Sequence, residues 1–301
     1  MKYKKFCTLL WILTILSKIL VFSSLNSWAA NINGEEWANI FMGGMKVGYA
    51  HSVTAEVIKE NGIGKSYTKD SEMIIKMARF GTKFEAKYIV NSVLDSDFSP
   101  ISFLAKSTLG DSQRILEGKK EGNILKITLT FAGEVTKKDI DLTSGLILEE
   151  NINDIIKTKD LKIGDKYKLK VFIKELMKVE DAEILVKEKS TLIVHGISTP
   201  VYVLETSMLG FTSTDYISEE KESLKSESRQ MSLSIVKASK EEALNFTETA
   251  DIAFAFSIDS SYAFQNPFTV KYVRAKISGD TPEIDIFSKD SPWQTVELNK
   301  N

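Results

Sequence analysis

The clearest structural signal in the sequence is the segment EWANIFMGGMKVGY, which spans residues 36–49. Two adjacent glycines lie between runs of β-forming residues. Glycine enters the positive φ region that both central positions of a type I′ turn require, and it does so without steric cost. The segment therefore predicts a β-hairpin that turns at Gly43 and Gly44. The structural hairpin motif consists of Trp37, Gly43, Gly44, Lys46, Gly48 and Tyr49.

The position of this turn also predicts which residues of the two strands face each other. A two-residue turn at the glycines places Val47 opposite Ile40. The core face of the hairpin then holds Ala38, Ile40, Met42, Met45, Val47 and Tyr49, and the outer face holds Trp37, Asn39, Phe41, Lys46, Gly48 and Ala50. A glycine within a strand marks a β-bulge or a close approach of another backbone, and we expect one of these at Gly48.

Beyond residue 30 the dominant pattern is alternation of apolar and polar residues, which is typical of strands with one buried face. The strand candidates recur at short intervals and are separated by turn sequences such as Lys162–Asp165. This spacing indicates an antiparallel meander. The predicted fold class is mainly β, a curved antiparallel sheet or half-barrel with one or two short helices. The strand candidates are 66–75, 82–94, 124–131, 167–173, 182–187, 190–194, 200–208, 212–218 and 231–237.

Two short helices are predicted, over residues 152–158 and 240–247. The residues expected to cap them are Asn151 and Asp154 for the first helix and Ser239 and Glu242 for the second. The second pair forms a capping box. In this motif the serine hydroxyl accepts a hydrogen bond from the glutamate amide, and the glutamate carboxylate accepts one from the serine amide.

The first thirty residues have the organisation of a secretory signal peptide. A basic head at residues 1–5 precedes an apolar stretch at 6–22 and a region of small residues that contains Ser27-Trp28-Ala29. This order predicts cleavage after Ala29. The alternative is an uncleaved membrane anchor, but Lys18 interrupts the apolar stretch well short of the roughly 20 residues that span a bilayer.

The predicted domain organisation follows from this leader and from a change in composition near Asp251. The chain is dense in Lys and Glu before Asp251 and poorer in charge after it. No later apolar run approaches the length of a membrane span, so we expect no transmembrane segment after signal cleavage. The predicted domains are a signal peptide at 1–29, an antiparallel β half-barrel at 30–250, and a trailing strand segment or linker at 251–301.

The composition argues against several classes of activity. Removal of the leader leaves 35 of the 39 basic residues against 41 acidic ones, whereas phosphate-backbone binding needs a concentrated basic face. The single cysteine is Cys7, inside the leader, so the mature chain has no thiol for a disulfide, a metal site or a nucleophile. His51 and His195 match no triad or zinc pattern, and we expect surface or hairpin roles for them. We predict no nucleic-acid partner and no catalytic, cofactor-binding or metal-binding residue.

Two segments of the chain resemble one protein family. Residues 36–49 are similar to the start of the extracytoplasmic region that precedes the catalytic core in many bacterial transglutaminase-like proteins, and residues 232–243 (SLSIVKASKEEA) resemble that region's closing strand and helix cap. The resemblance covers residues 35–295 and implies a curved antiparallel sheet similar to bacterial lipoprotein-carrier folds. The family's core uses Cys, His and Asp, and no catalytic residue carries over to this chain. We expect a stand-alone form of the accessory region or a split relative of a longer enzyme.

Two functions stay open on these grounds. The first is an exported, non-enzymatic envelope module that docks on a protein partner, such as a separately encoded transglutaminase-like subunit. The alternative is a periplasmic carrier that binds a lipid or acyl chain on the concave face of the sheet. The plentiful aromatic residues either line such a cavity or fill an ordinary core, and periodicity does not separate the two. A hydrolase with an unrecognised site is a third class. The expected location is the periplasm rather than the extracellular medium.

The leader yields a direct test of export. When the full-length gene is expressed in a bacterial host, the exported protein should begin at Ala30 or Asn31 because signal peptidase cleaves after small residues at the end of the apolar region. N-terminal sequencing of the periplasmic fraction measures this. Material that begins at Met1 would contradict the prediction.

Overall fold

The computed structural model describes residues 34–58, 65–79, 82–142, 145–246 and 250–251. The alternating pattern of these residues folds as one sheet of sixteen strands. The strands of its first part are β1 (Gly34–Met42), β2 (Met45–Ile58), β3 (Lys65–Arg79), β4 (Thr82–Asp95), β5 (Pro100–Leu109), β6 (Ser112–Glu121), β7 (Ile124–Phe131) and β8 (Glu134–Asp141).

The second part of the sheet contains eight further strands. They are β9 (Ile147–Leu148), β10 (Lys166–Ile173), β11 (Lys178–Val194), β12 (Ile197–Met208), β13 (Phe211–Ser218), β14 (Ser223–Ser228), β15 (Leu233–Ala238) and β16 (Ala250–Asp251). Two α-helices, α1 (Ile152–Lys157) and α2 (Lys240–Leu244), and two single-turn 3₁₀ helices at Glu149–Asn151 and Arg229–Met231 complete the described part.

Two meanders meet at β1 in the middle of the sheet. One runs outward from β1 to β8 in chain order, and the other runs from β15 back to β10 and β9. Neighbouring strands are antiparallel except for β9 beside β10 and β16 beside β3, which are parallel. The sheet does not close into a barrel. The predicted class, a mainly β curved antiparallel sheet with short helices, is therefore confirmed.

The connection between the two meanders lies against the buried face of this sheet, which we call the concave face. Residues 146–161, here named the plug, run from β9 through the 3₁₀ turn and α1. The plug buries Leu146, Ile147, Leu148, Ile152, Ile156 and Leu161 in the same hydrophobic core as the two meanders. Strand residues that contact this core include Ile40, Ile75, Leu116, Val171, Ile184 and Ile235. The chain thus fills its own concave face between the meanders.

The hairpin turns at the predicted glycines, with φ values of 57° at Gly43 and 79° at Gly44. Met42 pairs with Met45, as predicted, but the register then shifts between Ile40 and Phe41. As a result Ile40 lies opposite Gly48 rather than Val47, so the predicted register is wrong beyond the first two pairs.

This bulge exchanges the faces of the residues that follow it. Val47 is buried, as predicted, but Ala50 joins it on the core side opposite Ala38. Tyr49 moves to the outer face, where its ring lies 5.7 Å from that of Trp37. One extra residue in a strand inverts the facing of every later residue, because side chains alternate with a period of two.

Gly48 lies at both a β-bulge and a close approach of another backbone, the two alternatives that a glycine within a strand predicts. It follows the bulge, and a Cβ atom built on it would lie 1.9 Å from the Ile74 carbonyl oxygen on β3. The pairing of β2 with β3 ends here, at Gly48 and Ile75. Two residues further along β3, Met77 pairs instead with Ala250 of β16. Gly48 thus marks the place where β2 leaves β3.

Several strands were missed in the sequence. These are β5, β6, β8, the two-residue β9 and β14. In addition, the two candidates 182–187 and 190–194 belong to one strand, β11, with a register shift between Val186 and Glu188. Edge strand β8 shows why, since Ile140 is the one residue of its eight that is buried. A strand whose faces are both largely solvated lacks the alternation that reveals strands in a sequence.

The two helices lie where they were predicted, but the first is not capped as expected. Asn151 precedes α1 without a side-chain capping hydrogen bond, and Asp154 points instead to Lys69. The second helix has its capping box: the Glu242 amide donates to Ser239 Oγ (3.1 Å) and the Ser239 amide donates to Glu242 Oε2 (2.8 Å). α2 ends at Leu244, which is earlier than predicted.

The predicted signal peptide and almost all of the trailing segment 251–301 lie outside the described residues, so the domain boundaries stay predictions. In the described ranges no helix combines the length and the apolar character that a membrane crossing requires.

The contact at Gly48 predicts a large effect for a small substitution. Gly48→Ala should lower the free energy of unfolding by about 3 kcal/mol, because its Cβ would overlap a backbone carbonyl that cannot move without disturbing β3. Gly34→Ala is the matched control, since a Cβ there meets nothing within 4 Å. Urea unfolding of both variants measures the difference, and equal midpoints would contradict the close approach.

Candidate functional site

Charged side chains are buried where the plug meets the sheet. We call them the buried charged cluster, which consists of Glu36, Lys69, Glu149, Glu150, Asp154, Lys157 and Lys174. The plug supplies four of them, β1 and β3 supply Glu36 and Lys69, and Lys174 follows β10. Transfer of a charge from water to a protein interior costs several kcal/mol unless it is paired, so these contacts hold the plug in one position.

Lys69 is the centre of this cluster. Its side chain is 1% exposed and projects from β3 into the plug. Lys69 Nζ donates to Asp154 Oδ2 (2.6 Å) and to the Glu150 carbonyl oxygen (2.8 Å). A single ammonium group thus binds both the 3₁₀ turn and α1, and it fixes the helix against the middle of the first meander.

Lys174 anchors the beginning of the plug from the second meander. Its Nζ lies 2.7 Å from Glu149 Oε1 and also binds Glu150 Oε2. Burial acts to lower the pKa of Lys174, but the carboxylates of Glu149 and Glu150 outweigh it and raise that pKa above its ordinary value. Burial in turn raises the pKa of Glu149 to about 8. Arg114 of β6 adds hydrogen bonds to the carbonyl oxygens of Lys174 (2.9 Å) and Glu175 (3.2 Å).

Glu36 and Lys157 form a looser pair at the other end of α1. Lys157 Nζ lies 3.8 Å from Glu36 Oε1, and Ser52 Oγ donates to Glu36 Oε2 (3.4 Å). Burial raises the pKa of Glu36 to about 7 and lowers the pKa of Lys157 to about 8. Both shifts show that burial disfavours the charged forms. Keeping Glu36 and Lys157 charged near neutral pH therefore lowers the free energy of unfolding.

Several polar atoms of this interface have no hydrogen-bond partner within the described part of the protein. They are Glu36 Oε1, Tyr88 OH, Glu150 Oε1, both amide atoms of Asn151, Asp154 Oδ1 and both carboxylate oxygens of Glu175. A buried polar group without a hydrogen-bond partner lowers the stability of a protein by about 1–3 kcal/mol. A well-packed apolar residue in its place has no such penalty. The charged contacts therefore fix the position of the plug, but they stabilise the protein less than apolar residues would at the same sites.

The hairpin motif and the capping box come together at a second cluster, which we call the aromatic clamp. It comprises Trp37, Lys46, Tyr49, His51, Phe246 and helix α2. Lys46 Nζ donates to the Glu242 carbonyl oxygen and to that of Asn245 (3.1 Å) at the end of α2. These carbonyls have no partner within so short a helix, so Lys46 acts as its C-terminal cap. Phe246 then packs edge-on against Tyr49, with centroids 6.1 Å apart.

Trp37 forms the other side of the clamp. Its ring stacks on His51 at 4.0 Å, and Lys240 Nζ of α2 lies 5.6 Å from the ring centroid. Glu35 Oε1 accepts from Trp37 Nε1 (3.1 Å) and lies 2.9 Å from His51 Nε2. The structure thus brings Trp37, Lys46 and Tyr49 of the hairpin motif to α2, whereas Gly43 and Gly44 form the turn and Gly48 faces β3.

Both histidines make structural contacts. His51 belongs to the clamp, and His195 lies at the turn between β11 and β12. His195 Nε2 is 2.9 Å from the Lys237 carbonyl oxygen, and Nδ1 is 3.3 Å from Glu242 Oε1. The β11–β12 turn is therefore attached to β15 and to the capping box of α2. Among the described residues no group of three or more His, Cys, Asp and Glu side chains is arranged to hold a metal ion.

Sequence reasoning missed the buried charged cluster entirely. Lys69 lies in an alternating strand next to Thr68 and Asp70, and nothing in that pattern distinguishes a lysine that faces a buried carboxylate from one that faces water. Glu149 and Glu150 resemble the acidic residues that usually precede a helix. The helix gave no signal either, because Ile152, Ile155 and Ile156 share one face and Asp154 and Lys157 lie away from it, as on an ordinary amphipathic helix.

Comparisons with known proteins give no sequence match and a weak structural likeness. No protein-family model matches the sequence, and no curated protein matches it. One similar solved structure is a β-barrel-like protein of a domain of unknown function, DUF1849, from Brucella abortus. It is 9% identical, with a TM-score of 0.45, and the match covers 67% of this chain and 93% of that one. The resemblance to the transglutaminase-like region stays a prediction.

The Lys69 contact predicts a strongly non-additive pair of substitutions. Lys69→Met should cost about 3–5 kcal/mol of unfolding free energy, because it leaves the buried Asp154 carboxylate without its cation. The double variant Lys69→Met/Asp154→Leu should recover most of this loss. Denaturant titrations of the wild type, the two single variants and the double variant measure the coupling.

The exposed pair Lys187–Glu205, at 2.8 Å, is the matched control, and removal of either partner there should change stability little. Additive effects at Lys69 and Asp154 would show that the two charges do not stabilise each other.

Proposed function

We propose that this chain is an exported, non-enzymatic envelope module that docks on a protein partner, with a separately encoded transglutaminase-like subunit as the first candidate. Two lines support the proposal: the aromatic clamp, which gives the family-like motifs a structural role, and the anchored β11–β12 turn, which presents apolar side chains to solvent.

The single observation that carries the proposal is the convergence of the two segments that resemble the transglutaminase-like region. Lys46 and Tyr49 come from the opening segment, and Ser239 and Glu242 come from the closing one. All four act on the same short helix: Lys46 and the capping box satisfy its two ends, and Tyr49 packs against Phe246 just beyond it. A helix of five residues has little stability of its own, so the contacts of the clamp hold it in place.

The next described residues after Phe246 belong to β16. Ala250 and Asp251 pair in parallel with Met77 and Ala78 of β3, beside the place where Gly48 ends the pairing of β2 with β3. The motif residues thus stabilise α2 and Phe246, which come shortly before β16 in the chain. This structural role supports a module that positions other parts of a complex rather than one that performs chemistry.

The proposed docking surface is the turn between β11 and β12. Ile193 and Ile197 are 72% and 68% exposed, which is unusual for isoleucine. They flank His195, whose contacts to the Lys237 carbonyl oxygen and to Glu242 attach the turn to the rest of the protein. An exposed apolar turn that such contacts already hold in place loses less entropy on binding than a free one, which favours a protein partner.

The carrier alternative needs a change of conformation. A lipid or acyl chain on the concave face would occupy the volume that Ile152, Ile156 and Leu161 of the plug now fill. The alternative is therefore tested separately by solvent extraction of the exported protein and mass spectrometry of the extract. A stoichiometric amphiphile would favour the carrier over the docking module.

Site-specific photo-crosslinking tests the docking surface. A chain with p-benzoylphenylalanine at Ile193, expressed in its native host, should give an ultraviolet-dependent adduct with one exported protein. The matched control is the same group at Val135, which is 59% exposed on edge strand β8. Ile197→Ser should reduce the Ile193 adduct at least about fivefold, a loss of about 1 kcal/mol, without changing the melting temperature.

Equal adducts at Ile193 and Val135, or adducts with many unrelated proteins, would contradict a docking role for this turn. Mass spectrometry of the adduct identifies the partner. A transglutaminase-like protein in that adduct would establish the candidate subunit, and a different envelope protein would replace it.

A further inference from the structure

The hairpin of β11 and β12 extends beyond the strands on either side of it. β10 pairs with residues 178–185 of β11, whereas β12 pairs with β11 as far as Val194. Residues 188–194 of β11 therefore have β12 on one side and no described strand on the other. We call this open side the free edge. Within the described ranges, its backbone groups make no hydrogen bond to any backbone outside the hairpin.

The free edge begins directly after a bulge in β11. The register with β12 shifts between Val186 and Glu188. The Val186 carbonyl oxygen still accepts from the Gly164 amide (2.8 Å), and the Val186 amide donates to the Asp165 carbonyl oxygen (3.0 Å). An extra residue bends a strand and increases its twist. The bulge thus marks the point at which β11 leaves its described neighbours on this side.

The turn of this hairpin determines which backbone groups the free edge presents. His195 and Gly196 have φ values of 51° and 77°, as the two central residues of a type I′ turn require. The flanking residues Val194 and Ile197 are paired and exchange hydrogen bonds in such a turn. Along each strand, successive residues then direct their amide and carbonyl groups alternately towards the partner strand and away from it.

By this alternation Lys189, Thr191 and Ile193 direct their amide and carbonyl groups outward, away from β12. These groups form a row of donors and acceptors to which another extended chain can pair. Four of the seven residues of the free edge, Lys189, Ser190, Thr191 and Ile193, are exposed together with Glu188. The row is therefore open to solvent.

Pro200 distinguishes this edge from the corresponding part of β12. β13 pairs with residues 201–208 of β12, so residues 197–200 also extend past their neighbour. The same alternation directs the backbone of Pro200 away from β11. Proline has no amide hydrogen, and its presence on an edge hinders the pairing of another strand. The free edge of β11 contains no proline. Strand addition is thus hindered at β12 and open at β11.

The side chains along the free edge specify the chemistry of a strand that could pair there. Leu192 and Val194 share one face and pack against a small apolar cluster that is separate from the main core. Ile193 lies on the other face and is largely exposed. At the opposite end, Lys189 Nζ lies 2.7 Å from Glu219 and its side chain is half exposed, which leaves room for a second carboxylate. A matching segment has apolar residues at one end and an acidic residue at the other.

We propose that the protein partner binds by strand addition: an extended segment of it pairs with the free edge of β11, with apolar residues beside Leu192 and Ile193 and an acidic residue beside Lys189. This inference rests on the proposed docking function and names its binding mode. The free edge is continuous with the docking turn, since Ile193 belongs to both. In complexes of this kind, main-chain hydrogen bonds provide affinity and the flanking side chains provide specificity.

A proline substitution tests the main-chain pairing, with the p-benzoylphenylalanine adduct at Ile193 as the readout. Thr191→Pro removes an outward amide and places a ring against the incoming strand, so the adduct should decrease at least about tenfold. The fold should persist, because that amide points away from β12. Thr191→Val keeps the amide and is the matched control, and its adduct should stay within about twofold of the parent. Circular dichroism and the melting temperature verify that both variants are folded.

The outcomes separate the binding mode from the docking function. An undiminished adduct in folded Thr191→Pro would overturn strand addition and leave the docking function standing. The absence of an adduct in the parent would overturn both. An adduct with the mass of two copies of this chain would overturn the proposed occupant.

Residue-resolved hydrogen exchange of the parent chain decides the question even if Thr191→Pro does not fold. The chain is measured alone and with the purified partner that mass spectrometry of the adduct identifies. The outward amides of residues 189, 191 and 193 should exchange at least about tenfold more slowly in the complex, because they become hydrogen-bonded. The amides of residues 190, 192 and 194 already face β12 and should change less. Unchanged exchange of the outward amides, or equal slowing of both sets, would overturn strand addition.

Discussion

Lys69 Nζ lies 2.6 Å from Asp154 Oδ2 in an interior where neither side chain is more than 1% exposed. This contact joins β3, in the middle of one meander, to α1 in the plug. Lys174 makes the equivalent attachment from the other meander through Glu149. Because each charge would be costly without its partner, the plug cannot shift in register, and the two halves of the open sheet pack on a common segment.

The outer face of the same sheet is organised around β1 and its hairpin. Trp37 and Tyr49 project outward to the aromatic clamp, whereas Glu36 projects inward to the buried charged cluster. Adjacent residues of one strand therefore support the two sites, on opposite faces. Since β1 also pairs with both β2 and β15, a disturbance at this strand reaches the plug, the clamp and both meanders.

Features that depend on neighbouring residues in the chain were predictable. The Gly43–Gly44 turn requires positive φ at two successive positions, and the Ser239–Glu242 capping box closes within a single helical turn. Both involve interactions over a few residues, so their residue types suffice to identify them. The mainly β class was predictable too, because the alternation of apolar and polar residues is also a pattern of near neighbours in the chain. Gly48 predicted a bulge or a close backbone approach, but a glycine does not show which of the two it serves, so the shift of register between Ile40 and Phe41 was missed.

The sequence alone therefore established the turn, the capping box and a β-rich chain behind an expected leader. The tertiary structure decided which lysines are buried, where β2 leaves β3, and that residues 146–161 fill the concave face. The physical reason is the range of the interactions. Lys69 and Asp154 are 85 positions apart in the chain. The residues next to a lysine in a strand are the same whether its side chain faces water or a buried carboxylate. Packing supplies the partner that makes the buried charge stable.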